Sequence, residues 1–271
     1  MSSTPSSIAA IIAQNERVEG YGASTYGDRF ADVYDDWYED VSDVAATVAR
    51  VDALVARAGG GPVLELGAGS GRLAVPLATR GLDVWALDAS SAMLDRLAAK
   101  PGGDRVATVQ GDMADLDLGP GAPERFAVVL CAFNTLFNLT DTGAQRRCLT
   151  RAAQVLDPAG RLLVEAFVPP PGGEDEAAVG AVEPRHIGLD EVVLTVSRLD
   201  PATRTVTGQH VQITERGVRL RPWVLHYAAP DELDALAAAA GLSLVERHAG
   251  WRAEPFTASS PVHVSAYARR G

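Results

Sequence analysis

A chain of 271 residues with an apolar fraction of 47% is long and hydrophobic enough to fold around a core of its own. Its formal net charge of -11 opposes phosphate binding, so DNA, RNA and anionic membranes are excluded as expected partners and a small molecule is expected instead. Two cysteines, Cys131 and Cys148, are too few for a disulfide framework and suit a reducing cytoplasm.

The opening MSSTPSSIAAIIAQNER has no basic head before its short apolar run, so neither a signal peptide nor a membrane span is expected, and Ser2 to Ser7 reads as a mobile tail. Tyr21, Tyr26, Phe30, Tyr34, Trp37 and Tyr38 follow, an aromatic concentration suited to covering something apolar or cationic. Val44, Val48, Val51, Leu54 and Val55 recur at helical spacing and predict an amphipathic helix over 42–58. The chain then alternates: strand PVLEL, a glycine turn, helix 72–79, strand DVWAL, helix 90–98, strands RVATV and FAVVLCAF, helix 143–156 and strand RLLVEAF. Apolar strands separated by helices predict a parallel sheet covered on both faces, with ligands beyond the carboxyl ends of the strands where strand order reverses.

After Phe167 the Pro/Gly-rich, acidic VPPPGGEDEAAVG reads as a mobile link. The runs EVVLTVSRLD, RTVTGQHVQI and VRLRPWVLHY predict a three-strand antiparallel meander, followed by a helix over 231–240 and the strands LSLVERH and VHVSAYA. The expected organisation is therefore a tail and aromatic segment (1–41), a ligand-binding core (42–168), a loop and strand insertion (169–229), and the remainder of the core (230–271).

The strongest chemical signal is VLELGAGSG, Val63 to Gly71, between a predicted strand and a predicted helix. Gly67, Gly69 and Gly71 remove side chains where a backbone turns sharply and approaches a ligand. A dinucleotide fingerprint wants its third glycine at position 72, where Arg72 stands; here the glycine comes one residue earlier. Asp88, at the end of the next strand, is placed to accept hydrogen bonds from both ribose hydroxyls. Asp112, in GDM after the third strand, is placed to accept from an adenine amino group while the Met113 backbone donates to the ring. Each feature alone also reads as an ordinary turn or helix cap, and Asp88 ahead of Ser90 and Ser91 would serve as one; the combination favours a nucleoside site.

With Glu65 ahead of the glycines, the pattern resembles motif I of class I methyltransferases. From Tyr26 onward the chain resembles the small-molecule branch of that superfamily, especially the bacterial aminosugar N,N-dimethyltransferases and, more distantly, glycine N-methyltransferase. YGDRFADVYD, motif I, GDM, CAFNTLFNL, LLVEAF and the strand meander carry the resemblance. It implies an α/β fold: a Rossmann-like, doubly wound, mostly parallel seven-stranded sheet with the antiparallel meander as a lid. It also implies S-adenosyl-L-methionine as cofactor, with Tyr34 and the backbone near Gly67 at its methionine part and Ala132 and Phe133 flanking it. Glu65, Ala68, Ala89 and Met93 complete that expected set, while Tyr26 and the stretch from Glu165 to Phe167 would face the acceptor. The aminosugar enzymes carry Pro and Trp after this acid, whereas Ala166 and Phe167 follow Glu165, which leaves the acceptor open.

Glu165 is the first candidate to take a proton or hold a cationic amine, and a solvated strand-end acid with a structural hydrogen bond is the equal alternative. Of His186, His210 and His226 in or near the meander, His226 followed by Tyr227 is the preferred second candidate. Arg219 and Arg221 share a strand face with Trp223; Arg221, Trp223 and Tyr227 are therefore candidate acceptor contacts, against a bland reading as solvated charge and core packing. No metal-ligand spacing is present. The expectation is methyl transfer from the cofactor to a nitrogen or oxygen of a small molecule in specialised metabolism. Carbon methylation and a non-catalytic cofactor-binding protein are the alternatives, and a homodimer is left open.

Overall fold

Strand β1 (Val63–Leu66) is buried along its whole length, as a central parallel strand must be when helices cover both sheet faces. The computed structural model describes residues 18–39, 41–170 and 177–270, so the expected mobile tail and the middle of the acidic link, 171–176, lie outside the described residues. Around β1 lie β2 (Val84–Asp88), β3 (Val106–Gln110), β4 (Phe126–Cys131) and β5 (Leu156–Phe167), and the chain later adds β10 (Leu242–His248) and β11 (Val262–Arg269). The sheet runs β10-β11-β5-β4-β1-β2-β3, parallel throughout except for β11, which is antiparallel to both of its neighbours. The strand order reverses between β1 and β4, which opens a crevice beyond their carboxyl ends.

Two short helices, α1 (Thr25–Phe30) and α2 (Tyr34–Trp37), precede α3 (Val44–Arg57), α4 (Ala74–Thr79), α5 (Ser91–Ala99), α6 (Thr142–Val155) and α7 (Pro230–Ala239). Their starts are set by side-chain caps: Asp43 accepts from Ala46 N at 2.9 Å, Ser90 from Met93 N at 3.2 Å and Asp141 from Ala144 N at 2.8 Å. Strand alternation sends Val128 and Leu130 of β4 into the core beneath α3 to α5, and Val129 and Cys131 into the core beneath α6 and α7. Cys131 and Cys148 are both buried and free. The helix after the glycine turn starts at Ala74 rather than Arg72, because Gly71 at φ 80 delays the helical backbone.

The meander is a separate sheet of four strands where three were expected: β6 (Val179–Ile187), β7 (Glu191–Asp200), β8 (Thr205–Thr214) and β9 (Gly217–His226). The sequence hid β6 because Pro184 interrupts it; the strand lies at the sheet edge, where a missing N–H is tolerated, and its register shifts between Pro184 and His186. Among the described residues no helix is long and apolar enough to cross a membrane.

Candidate active site

The turn after β1 passes through Gly67 at φ 64 and Gly69 at φ 57, in the left-handed region. A Cβ on Gly67 would lie 2.3 Å from Thr135 Cγ2, so any side chain there collides with the turn after β4. A Cβ on Gly69 would meet nothing nearer than Met93 Sδ at 4.0 Å, and the space it leaves belongs to a cavity of about 280 Å³ that Gly69 lines.

Asp88 closes β2 beside that space. Its Oδ2 accepts from Gly69 N and its Oδ1 from Ser90 N, each at 2.8 Å, and each carboxylate oxygen retains capacity for a further donor. Burial raises its pKa, so donors arriving from a ligand would stabilise the ionised form. Asp112 lines the same cavity with Met113; its Oδ1 is fixed by Ala114 N at 2.8 Å. Ala89 and Met93 line it as well. This carboxylate beside a side-chain-free turn fits a ribose diol, and the second acid deeper along the strand ends fits a base edge. Glu65 lies behind the turn, 5% exposed, with Oε2 unpartnered among the described residues. Its burial, opposed by Arg72 and the Ala74 N–H, pushes its pKa up to about 8 and keeps it protonated at neutral pH.

The other half of the cavity is built from segments far apart in sequence. The aromatic segment is tied down by three carboxylates: Asp28 accepts from Ser90 Oγ at 2.6 Å, Asp35 from Lys100 Nζ at 2.7 Å, and Asp32 from Arg221 at 2.6 Å. So held, Tyr26 stacks on Phe30 with ring centroids 4.4 Å apart and meets Tyr34 edge-on at 6.4 Å. Tyr21, Tyr26, Tyr34 and Tyr38 all line the cavity. Burial pushes the Tyr21 and Tyr34 phenols up to about 12, so they remain neutral donors.

From the meander come His210, Trp223 and Leu225. A Cβ on Gly208 would fall 2.2 Å from Trp223 Cζ2, so the missing side chain makes room for the indole. His210 Nδ1 lies 3.0 Å from Thr195 Oγ1, and its ring meets Phe30 and Trp37 edge-on at 5.6 Å. Burial, followed by the Arg185 and Arg221 charges, pushes its pKa down to about 4, leaving a neutral imidazole. After β4, Phe133, Asn134, Thr135 and Asn138 complete the wall.

Several residues singled out in the sequence lie elsewhere. His226 follows Leu225, and strand alternation that aims Leu225 into the cavity turns His226 away; its Nε2 sits 2.9 Å from Thr142 Oγ1 in a different hollow. Tyr227 lines that second hollow and meets Phe167 at a tilt, ring centroids 6.1 Å apart, while the Phe167 ring also meets Phe137 edge-on, so neither ring lines the main cavity. Arg221, 1% exposed, is consumed by Asp32 and the Arg29 carbonyl rather than offered to an anionic acceptor. Glu165 is also off the cavity lining, its Oε2 accepting from Phe133 N at 2.8 Å. Ala68, Gly71 and Ala132 are buried behind the wall, and a Cβ on Gly71 would lie 2.6 Å from Leu97 Cγ. The sequence reading passed over Tyr21, Tyr38, Asn134, Thr135 and Asn138 as site residues, and ranked His210 below His226. The signal for His210 was strand parity: it is paired with Arg221 across β8 and β9, two residues from Trp223.

The family described as a methyltransferase domain matches residues 63–160, the segment that carries the glycine turn, Asp88, Asp112 and Glu65's strand. The chain is 40% identical to the CcbJ methyltransferase from Streptomyces caelestis, over 93% of this chain and 100% of that one, with a TM-score of 0.81. It is 28% identical over 215 residues to the cypemycin N-terminal methyltransferase of a Streptomyces species, a match covering 74% of this chain and 80% of that protein. A methyltransferase of Geobacillus kaustophilus (strain HTA426) is 31% identical over 136 residues, 50% of this chain and 59% of that protein's length.

Proposed function

Since this chain belongs to the S-adenosylmethionine-dependent methyltransferases, we propose that it transfers the methyl group to an amine nitrogen of a small, uncharged acceptor seated between the aromatic segment and the meander. The observation that carries the reading is the continuity of a single cavity from Gly69 and Asp88 to His210 and Trp223. The cofactor supplies an already activated methyl group and departs as a neutral thioether, so the work left to the protein is binding, orientation and exclusion of water. Asp88 would take the ribose hydroxyls and Asp112 the base edge, each holding oxygens open to further donors. Orientation of the two reactants supplies roughly 7–11 kcal/mol in favourable cases.

The tyrosines and Trp223 would shut out water around the acceptor, and a low-dielectric, uncharged surround favours an amine as its nucleophilic free base. Neutral His210 would accept a hydrogen bond from the amine N–H; with a pKa of about 4 it is too weak a base to take the ammonium proton, which leaves to water as the product departs. Among the described residues the acceptor end, lined by Tyr21, Tyr26, Tyr38, His210, Trp223 and Leu225, offers no carboxylate or lysine to ionise an alcohol, which supports nitrogen over oxygen. The relative named for N-terminal methylation, at 28% identity, supports the same atom. A net charge of -11 suits such an acceptor better than nucleic acid or an anionic membrane.

The test is incubation with the cofactor and a panel of small amines, phenols and carbon acids, followed by mass spectrometry. A methyl gain on amines is expected. Methylation confined to hydroxyls or carbon would overturn the proposed acceptor atom, and no product in any class would favour a non-catalytic binder.

A further inference from the structure

Phe133 and Asn134 are consecutive non-glycine residues in the left-handed region, at φ 52 and φ 61. Such a backbone costs about 1–3 kcal/mol per residue and persists only where its surroundings impose it. The surroundings here are specific. Glu165 Oε2 accepts from Phe133 N at 2.8 Å, and the Glu165 carbonyl accepts from Asn134 N at 3.0 Å. Asn134 Oδ1 in turn accepts from Phe167 N at 2.7 Å, so the turn is stitched to the end of β5 at Glu165 and at Phe167. The Arg72 guanidinium lies 5.0 Å over the Phe133 ring, and Tyr38 meets that ring edge-on at 5.9 Å.

The consequence reaches the site directly. Phe133, Asn134 and Thr135 line the cavity, and Thr135 Cγ2 occupies the place a Gly67 side chain would need. The turn therefore sets the distance between the β4 wall and the glycine turn. Glu165 itself reaches the backbone of this wall and not the cavity.

We infer that Glu165 is a positioning residue: it holds the left-handed Phe133–Asn134 turn against the cofactor crevice by accepting a hydrogen bond, and it moves no proton in the reaction. This rests on the cavity being the place of methyl transfer. Glutamine at 165 retains an oxygen that accepts from the Phe133 N–H but has no titratable carboxyl, so it separates the two roles; alanine removes both.

The test compares Glu165→Gln and Glu165→Ala by amide hydrogen exchange across the Phe133 segment and by pH–rate profiles on the best acceptor from the panel. Losing a bond to a charged acceptor corresponds to about tenfold or more. Glu165→Ala should exchange at Phe133 at least about tenfold faster than wild type and turn over at least about tenfold more slowly. Glu165→Gln should stay within about threefold of wild type in both, with an unchanged profile. A Glu165→Gln variant that keeps exchange protection yet loses turnover, or loses one limb of its profile, would overturn the inference in favour of proton transfer. Wild-type exchange in Glu165→Ala would overturn it as well, since the turn would then stand without the acid. Exchange reads the turn whether or not an acceptor is found, so failure of the inference and failure of the acceptor reading are distinguishable, and Glu165→Gln carries the test if the alanine variant fails to fold.

Discussion

The two halves of the cavity are made in different ways. On the proposed nucleoside side the defining contact, Asp88 with the Gly69 N–H, joins residues 19 apart across a single strand–helix–strand unit, and the backbone does much of the shaping. On the proposed acceptor side the defining contact, Asp32 with Arg221, spans 189 residues and joins the turn between two short helices to an inserted sheet through a side-chain ion pair. The first kind of site is fixed by local geometry and tolerates little change. The second depends on a side-chain pair that one substitution can remove without touching the glycine turn.

The sharpest way to break that contrast is Asp88→Ala. Losing two hydrogen bonds to a buried carboxylate, at about 1.5–3 kcal/mol each, should weaken S-adenosylhomocysteine binding by roughly 100-fold or more in calorimetry. Undiminished affinity would place the nucleoside elsewhere. Next in size is Arg221→Met on the acceptor side. Arg221 is buried but the Asp32 side chain is 43% exposed, so the stability loss should be about 1–2 kcal/mol, read in a denaturant melt, below the cost for a fully buried pair. Acceptor KM should rise about tenfold while S-adenosylhomocysteine affinity stays within about twofold; a matching fall in both would mean that the halves are not independent. Trp223→Ala should raise acceptor KM by roughly fivefold through lost apolar contact, again sparing the cofactor.

The remaining effects are those of pH on stability, and the halves should differ in sign. His210 has its pKa depressed to about 4, so the stability it contributes is complete above the unfolded value near 6.5 and declines as pH falls through that window. Glu65 has its pKa raised to about 8, so its contribution is complete below about 4.5 and is lost as pH rises toward 8. Thermal melts should therefore show His210→Asn gaining on wild type, by about 1 kcal/mol, between pH 7 and 5. Glu65→Gln should gain on wild type between pH 5 and 8. Parallel curves would remove those groups from the account.

The same contrast explains what the sequence disclosed. That the glycine turn, Asp88 and Asp112 border one cavity was legible because each sits at a fixed offset from a strand end, and the parallel sheet followed from the alternation of apolar runs and helices. The acceptor wall was not, because strand parity names a face but not which face meets the core. His226 and Arg221 were therefore as plausible in sequence as His210. Strand β6 was missed because its Pro184 and exposed side chains mimic a link, and only the edge position excuses them. Glu165 was read equally as a candidate base and as an acid with a structural hydrogen bond, because an acid at a strand end is ambiguous until its partner is seen, and that partner is a backbone N–H after a different strand.

The central claim is that nucleoside and acceptor occupy opposite ends of one cavity. A crystal structure with S-adenosylhomocysteine tests it most directly. The account predicts ribose hydroxyls on Asp88, adenine at Asp112 and the thioether sulfur facing Tyr26 and Phe133; the ligand lodged in the hollow beside His226, or absent from the crevice at Gly69, would contradict it.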